Sequence, residues 1–199
     1  MLVKLELPII MIDTKPVNSN KYFLIGFGLL NVLAFTLLFC GLSFLFGTSV
    51  SKWQFPLACL SALIVNYYAS FVFMSDKAQA YFYKTSAVIL VALLGMIIIS
   101  GFFYDVYFDG QWYHQETVYH LKQGYNPVYQ ILPIAVDGPA QAGKPATDLK
   151  DIAVNNFTKG SEVIEAAIYN ITNRIEMAKA VNGIMLITSF FYTFHYCSG

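Results

Sequence analysis

The sequence predicts an all-α integral membrane protein, and three observations carry that prediction. Hydrophobic residues make up 57% of the 199 positions and charged residues only 12%, against about 25% charged in an ordinary soluble domain. The mean hydropathy is +0.55, so the chain lacks the charge to cover a water-facing surface. Four apolar runs, each about 18 residues or longer, are free of interior charge, which is the length a helix needs to cross a bilayer.

The first run extends from Tyr22 to about Phe46, "YFLIGFGLLNVLAFTLLFCGLSFLF". It is too long, starts too late and lacks the small-residue cleavage site of a signal peptide. The second extends from Trp53 to about Met74, the third from Thr85 to about Tyr104, and the fourth from Ala180 to about Cys197. These runs divide the chain into an N-terminal segment (1–21), three transmembrane helices (22–104), a long loop (105–179) and a fourth helix (180–199).

Lysines near short loops set the orientation. Lys4, Lys15 and Lys21 precede the first helix, Lys77 and Lys84 lie between the second and third, and only Lys52 lies between the first and second. The N-terminus is therefore expected in the cytoplasm, with the 105–179 loop outside it. The expected location is the cell's inner (plasma) membrane, as a multi-pass protein.

Several function classes are disfavoured. With 12 basic and 12 acidic residues, nothing supplies a basic face for nucleic acid. Cys40, Cys59 and Cys197 all lie in apolar stretches without metal-ligand spacing, so they give no disulfide framework. No Asp, Glu, Lys or Arg falls inside the four runs, which argues against an ion-coupled transporter. Asn31 and Asn66 do fall inside, and such side chains usually pair with another helix or a backbone carbonyl.

The long loop holds the chemistry-bearing residues. At about 75 residues it exceeds a plain connector. Gly110 to Lys122 reads as a short amphipathic helix, with Trp112, Tyr113, Val118 and Leu121 towards one face and Gln115, Glu116 and Lys122 towards the other. Its aromatic content suits a helix lying at the headgroup level. Gly124 and Pro127 end it. Pro133, Pro139 and Pro145, with Gly138 and Gly143, mark irregular chain. A second amphipathic helix starts near 159–161, with Val163, Ile164, Ala167, Ile168 and Ile171 at i, i+3, i+4 spacing, and ends near Asn173.

Asp105 and Asp109 therefore sit where lipid meets water. A carboxylate there is placed to act as general base on a substrate whose head is polar and whose tail is buried in lipid. Position alone favours the plainer reading, that these carboxylates cap helix ends and keep the loop hydrated. His114 and His120 lie six residues apart, on different faces of a helix, which argues against a shared metal site.

In order, "DGQWYHQETVYHLKQGYNP" and "NNFTKGSEVIEAAIYNITNRIEMAKAVN" resemble the first extracytoplasmic loop of bacterial GT-C superfamily membrane glycosyltransferases. The matching positions are Asp109, Tyr113, His114, Gly124, Tyr125, Asn126, Pro127, Phe157, Lys159, Gly160, Ile175, Glu176, Lys179 and Asn182. The resemblance implies transfer of a sugar from a polyprenyl-phosphate-linked donor to a cell-envelope acceptor outside the cytoplasm. It assigns the catalytic base to Asp109, with Asp105 second, and substrate binding to His114, Tyr113 and Lys159. It calls for no cofactor, and a divalent metal assisting the transfer is compatible with it. Enzymes of that family carry about eight or more membrane helices, against about four here. The expectation is therefore the N-terminal portion of a longer protein, or a truncated product. The alternative from another class is a non-catalytic membrane scaffold or assembly subunit whose outer loop binds a partner.

Overall fold

The computed structural model describes residues 17–74, 77–104, 114–131 and 160–198. These residues form helices and connecting turns, with no strand among them. The long helices are α1 (Val17–Leu45), α2 (Gln54–Met74), α3 (Ala78–Ser100) and α7 (Ala180–Cys197). Three shorter ones belong to the long loop: α4 (Gln115–Lys122), α5 (Gly160–Thr172) and α6 (Ile175–Ala178).

Three helices, α1, α2 and α3, are long and apolar enough to cross a membrane. With 29, 21 and 23 residues they are about 43, 31 and 34 Å long at 1.5 Å per residue, against a hydrocarbon core of about 30 Å. Apolar side chains cover their outer surfaces as well as their inner ones. Leu38, Leu45, Leu57, Leu60, Phe71, Val72 and Val91 are all exposed, as expected where the surrounding medium is as apolar as the interior. The polar residues are turned inwards instead: Thr36, Asn66, Ser70, Thr85 and Thr188 are buried. Most of these hydroxyls donate to the carbonyl four residues back, as Thr36 does to Val32 (2.7 Å) and Thr188 to Ile184 (2.7 Å), so none requires water.

The expected third span, Thr85 to Tyr104, is displaced. The helix begins at Ala78 and ends at Ser100. Lys84 does not stop it, because its side chain lies on an exposed face from which a long cationic stem can reach outwards. The fourth apolar run forms its helix over Ala180–Cys197 as expected. Asn182, Ser189, Thr193 and His195 make it the most polar of the long helices.

The four long helices run up and down in turn. The C-terminal ends of α1 and α3 and the N-terminal ends of α2 and α7 share one end of the bundle, called here the capped end. At the opposite end Asn20 Nδ2 donates to the Phe73 carbonyl (3.3 Å), and Ser19 Oγ meets Nδ1 of His195 at 2.8 Å. The first and last helices thus close side by side. The core runs through α1 (Leu29, Val32, Leu33), α3 (Ile89, Leu93) and α7 (Val181, Ile184) and continues into α4 and α5 through Val118, Leu121, Val163 and Ile168. Gly183 lets α7 approach α3, since a Cβ at that position would overlap Cε of Met96.

Candidate functional site

The loop helices form a cap, and backbone carbonyls at the ends of the long helices anchor it. Asn126 Nδ2 donates to the carbonyls of Phe44 (2.9 Å) and Thr48 (3.0 Å), and its Oδ1 accepts from Val128 N (2.9 Å). Tyr129 Oη donates to the Leu45 carbonyl at 3.0 Å. Arg174 Nη2 donates to the Gly101 carbonyl (3.1 Å), Ser100 Oγ to that of Met177 (3.1 Å), and Lys179 Nζ to that of Phe103 (3.4 Å). A helix leaves its last four carbonyls without intrahelical donors, and the cap supplies donors to two of those of α1, Phe44 and Leu45, and to Thr48, Gly101 and Phe103 just beyond the helix ends.

The "GYNP" stretch therefore builds the cap. Gly124 takes φ +107°, a conformation that costs other residues a steric clash. This turn directs Tyr125 and Asn126 inwards, where they keep 4% and 3% of their surface exposed. Burial pushes the Tyr125 phenol up from its ordinary range. Asn173, at φ +53°, ends α5 in the left-handed region that suits asparagine at a helix C-terminus. Its Oδ1 accepts from Lys122 Nζ at 2.8 Å, and that ammonium lies 3.6 Å from the centre of the Tyr169 ring. The apolar face of α4 (Thr117, Val118, Leu121) is thus buried in the protein, against α5, rather than left open to lipid.

Between α4 and the start of α5, and above the start of α7, lies a polar cavity of about 260 Å³. His114, Gln115, Ser161, Glu165, Lys179 and Asn182 line it, and Val118 and Ile175 complete its wall. Cationic, anionic, amide and hydroxyl groups thus face one space. Beside it, His114 Nδ1 meets Glu162 Oε1 at 2.7 Å, and Ser161 Oγ donates to Glu162 Oε2 at 3.0 Å. The Glu162 side chain keeps 6% of its surface exposed and that of His114 keeps 42%. A carboxylate this deeply buried needs a partner to offset its desolvation, and His114 and Ser161 provide two. His120 is separate from this group and pairs instead with Glu116, one turn back on α4, at 3.2 Å.

Of the residues expected at the site, His114 is brought to the cavity, as are Lys179 and Asn182 from the matching stretch. Asp105, Asp109, Tyr113 and Lys159 lie outside the described residues. Glu162 was not singled out from the sequence, and periodicity gives no signal for it. Its i+3 and i+4 neighbours are Glu165 and Ala166, so it lies across the helix from the Ile164, Ala167, Ile168 and Ile171 stripe. Its burial comes from the packing of α5 against its neighbours, which the spacing within one helix does not show.

A second cavity, of about 220 Å³, lies among α1, α2 and α3 and is walled by Gly28, Val32, Ala62, Ile89 and Leu93. Its walls offer no group that ionises near neutral pH. Among the described residues, no three or more His, Cys, Asp or Glu side chains cluster as metal ligands would.

Apolar helices in an up-and-down arrangement, with a polar cavity under a cap at their ends, define the class: a helical integral membrane protein. No family model, curated protein or solved structure matches the chain.

Proposed function

We propose that the chain is the N-terminal portion of a membrane glycosyltransferase. Its reaction is transfer of a sugar from a polyprenyl-phosphate-linked donor to an acceptor in the cell envelope, outside the cytoplasm. In this reading α7 is a fourth membrane span, and the capped end faces away from the cytoplasm. The observation that carries the reading is the polar cavity at the ends of the apolar helices. A lipid-linked sugar keeps its tail in the bilayer and offers its head at just such a level. Donors and acceptors are mixed around the cavity (Gln115 and Asn182 amides, Ser161 hydroxyl, Lys179, Glu165), which suits a polyhydroxyl headgroup better than a purely ionic one. Asp109 lies five residues before His114 in the chain and is assigned the role of base, with Asp105 second and Tyr113 and Lys159 binding substrate.

In this step the acceptor hydroxyl loses its proton to the base while its oxygen bonds the anomeric carbon. The bond from that carbon to the phosphate oxygen breaks, and the polyprenyl phosphate leaves with the electron pair. General-base help of this kind is worth about 10²–10⁴-fold. The test is release of polyprenyl phosphate by the purified full-length protein from a panel of polyprenyl-phosphate-linked hexoses, with membrane extract as acceptor. Release is expected from the wild type and should fall by about 10²–10⁴-fold in Asp109→Asn, with the thermal midpoint unchanged. No release from any donor, or unimpaired release by Asp109→Asn, would refute the assignment.

A further inference from the structure

Glu162 is buried, charged and bonded to the only histidine that lines the polar cavity among the described residues. We infer that Glu162 is a positioning residue that acts through His114, an inference that deepens the glycosyltransferase reading and rests on it. A carboxylate can only accept, so the 2.7 Å contact at Nδ1 requires the imidazole proton on that nitrogen. In the neutral ring Nε2 is then the accepting atom. The preference in water is the reverse, with the proton on Nε2. Glu162 therefore makes His114 an acceptor towards the cavity, the polarity needed to take a hydrogen bond from a sugar hydroxyl.

The geometry around the pair supports this role over a simple tie between α4 and α5. Ser161 Oγ occupies the second carboxylate oxygen at 3.0 Å, which leaves Glu162 little freedom to turn away. Along the pair the environment changes from buried to open, for His114 keeps 42% of its side-chain surface exposed against 6% for Glu162. One end of the pair is thus fixed in the core and the other is presented to the cavity. A carboxylate behind a histidine generally fixes its tautomer and ring orientation in this way. The tie between α4 and α5 does not depend on it, because Val118 and Leu121 already join these helices to the common core.

The first test needs no variant protein beyond an assignment. Full-length protein labelled with 15N-histidine, held in nanodiscs near about pH 8, where an ordinary imidazole is neutral, has three histidine rings to distinguish, and His114→Gln assigns the relevant one. The proton is expected on Nδ1. A proton on Nε2 overturns the inference. The second test is a double-mutant cycle on polyprenyl phosphate release. Glu162→Gln should lower turnover on the order of tenfold to a hundredfold, and should change nothing further in a His114→Ala background. Independent, multiplicative losses would overturn the inference, because Glu162 would then act elsewhere or only on folding. If the wild type releases no polyprenyl phosphate, the glycosyltransferase reading falls, while the tautomer measurement still decides the assignment of Glu162.

Discussion

Asn126 reaches across 82 residues of sequence to donate to the Phe44 carbonyl at 2.9 Å, and the same nitrogen donates to the Thr48 carbonyl at 3.0 Å. One amide thus secures the cap to the turn that follows α1. Replacing it by alanine removes both bonds, while the Phe44 carbonyl keeps the Gly47 N–H (3.0 Å), at a net cost of about 0.5–1.5 kcal/mol per bond. Asn126→Ala should therefore lower the thermal midpoint in detergent clearly. Tyr129→Phe, which removes an exposed bond to Leu45, should lower it little. Equal losses in the two variants would show that the anchor lies elsewhere.

The approach of α7 to α3 depends on the missing side chain at Gly183. A methyl group there meets only the flexible end of Met96, which can swing aside, so Gly183→Ala should cost under about 1 kcal/mol. Gly183→Val adds branches that Met96 cannot clear and should cost about 1–3 kcal/mol. Met96→Ala in the same chain should recover much of that loss. Midpoints of the single and double variants give the answer, and additive losses would mean that the two side chains do not collide.

The raised Tyr125 phenol has a consequence for alkaline stability. Above about pH 10 the unfolded chain releases this proton while the folded chain still holds it. Stability from this group is therefore complete below about pH 10 and is lost as pH rises through the folded value. The thermal midpoint should fall as pH rises above about 10, and Tyr125→Phe should make that fall shallower. An unchanged slope would mean that the buried phenol does not contribute.

Orientation can be read with a reagent that cannot cross the membrane, in protein stripped of its own three cysteines. Gln123 lies exposed on the cap and Lys77 lies exposed at the opposite end of the bundle. Gln123→Cys should be modified from outside intact cells and Lys77→Cys should be spared. The reverse pattern would invert the topology inferred from the lysines.

Much of this architecture is legible in the residues themselves. Runs of unbroken apolar character mark α1, α2 and α3, and the i, i+3, i+4 spacing of Val163, Ile164 and Ala167 marks α5 to within a residue or so. The start of α3 is not legible, because Lys84 interrupts the apolar run without interrupting the helix. Asn31 and Asn66 keep to the packing role expected of them: Asn31 donates to the Phe27 carbonyl at 2.8 Å and Asn66 to Thr85 Oγ1 at 3.3 Å. In the candidate site, His114 stands out by its residue type and its place beside the apolar runs. Its partner does not, because the pairing joins positions 48 residues apart and periodicity within a single helix says nothing about distant neighbours. The roles of Gly124 and Asn126 as turn and anchor are likewise tertiary facts, since any Asn-Pro turn reads alike in one dimension.

The cavity walls come from two stretches, 114–118 and 161–182, and α7 begins within the second. On the ribosome, α1 to α3 and α4 emerge well before that stretch does. A chain halted before α5 would hold the three long apolar helices and His114, but it would lack Ser161, Glu165, Lys179 and Asn182. The site is thus assembled last, by the same late segment that closes the bundle against α1. Any copy that stops short of Gly160 therefore holds one wall of the cavity without the other.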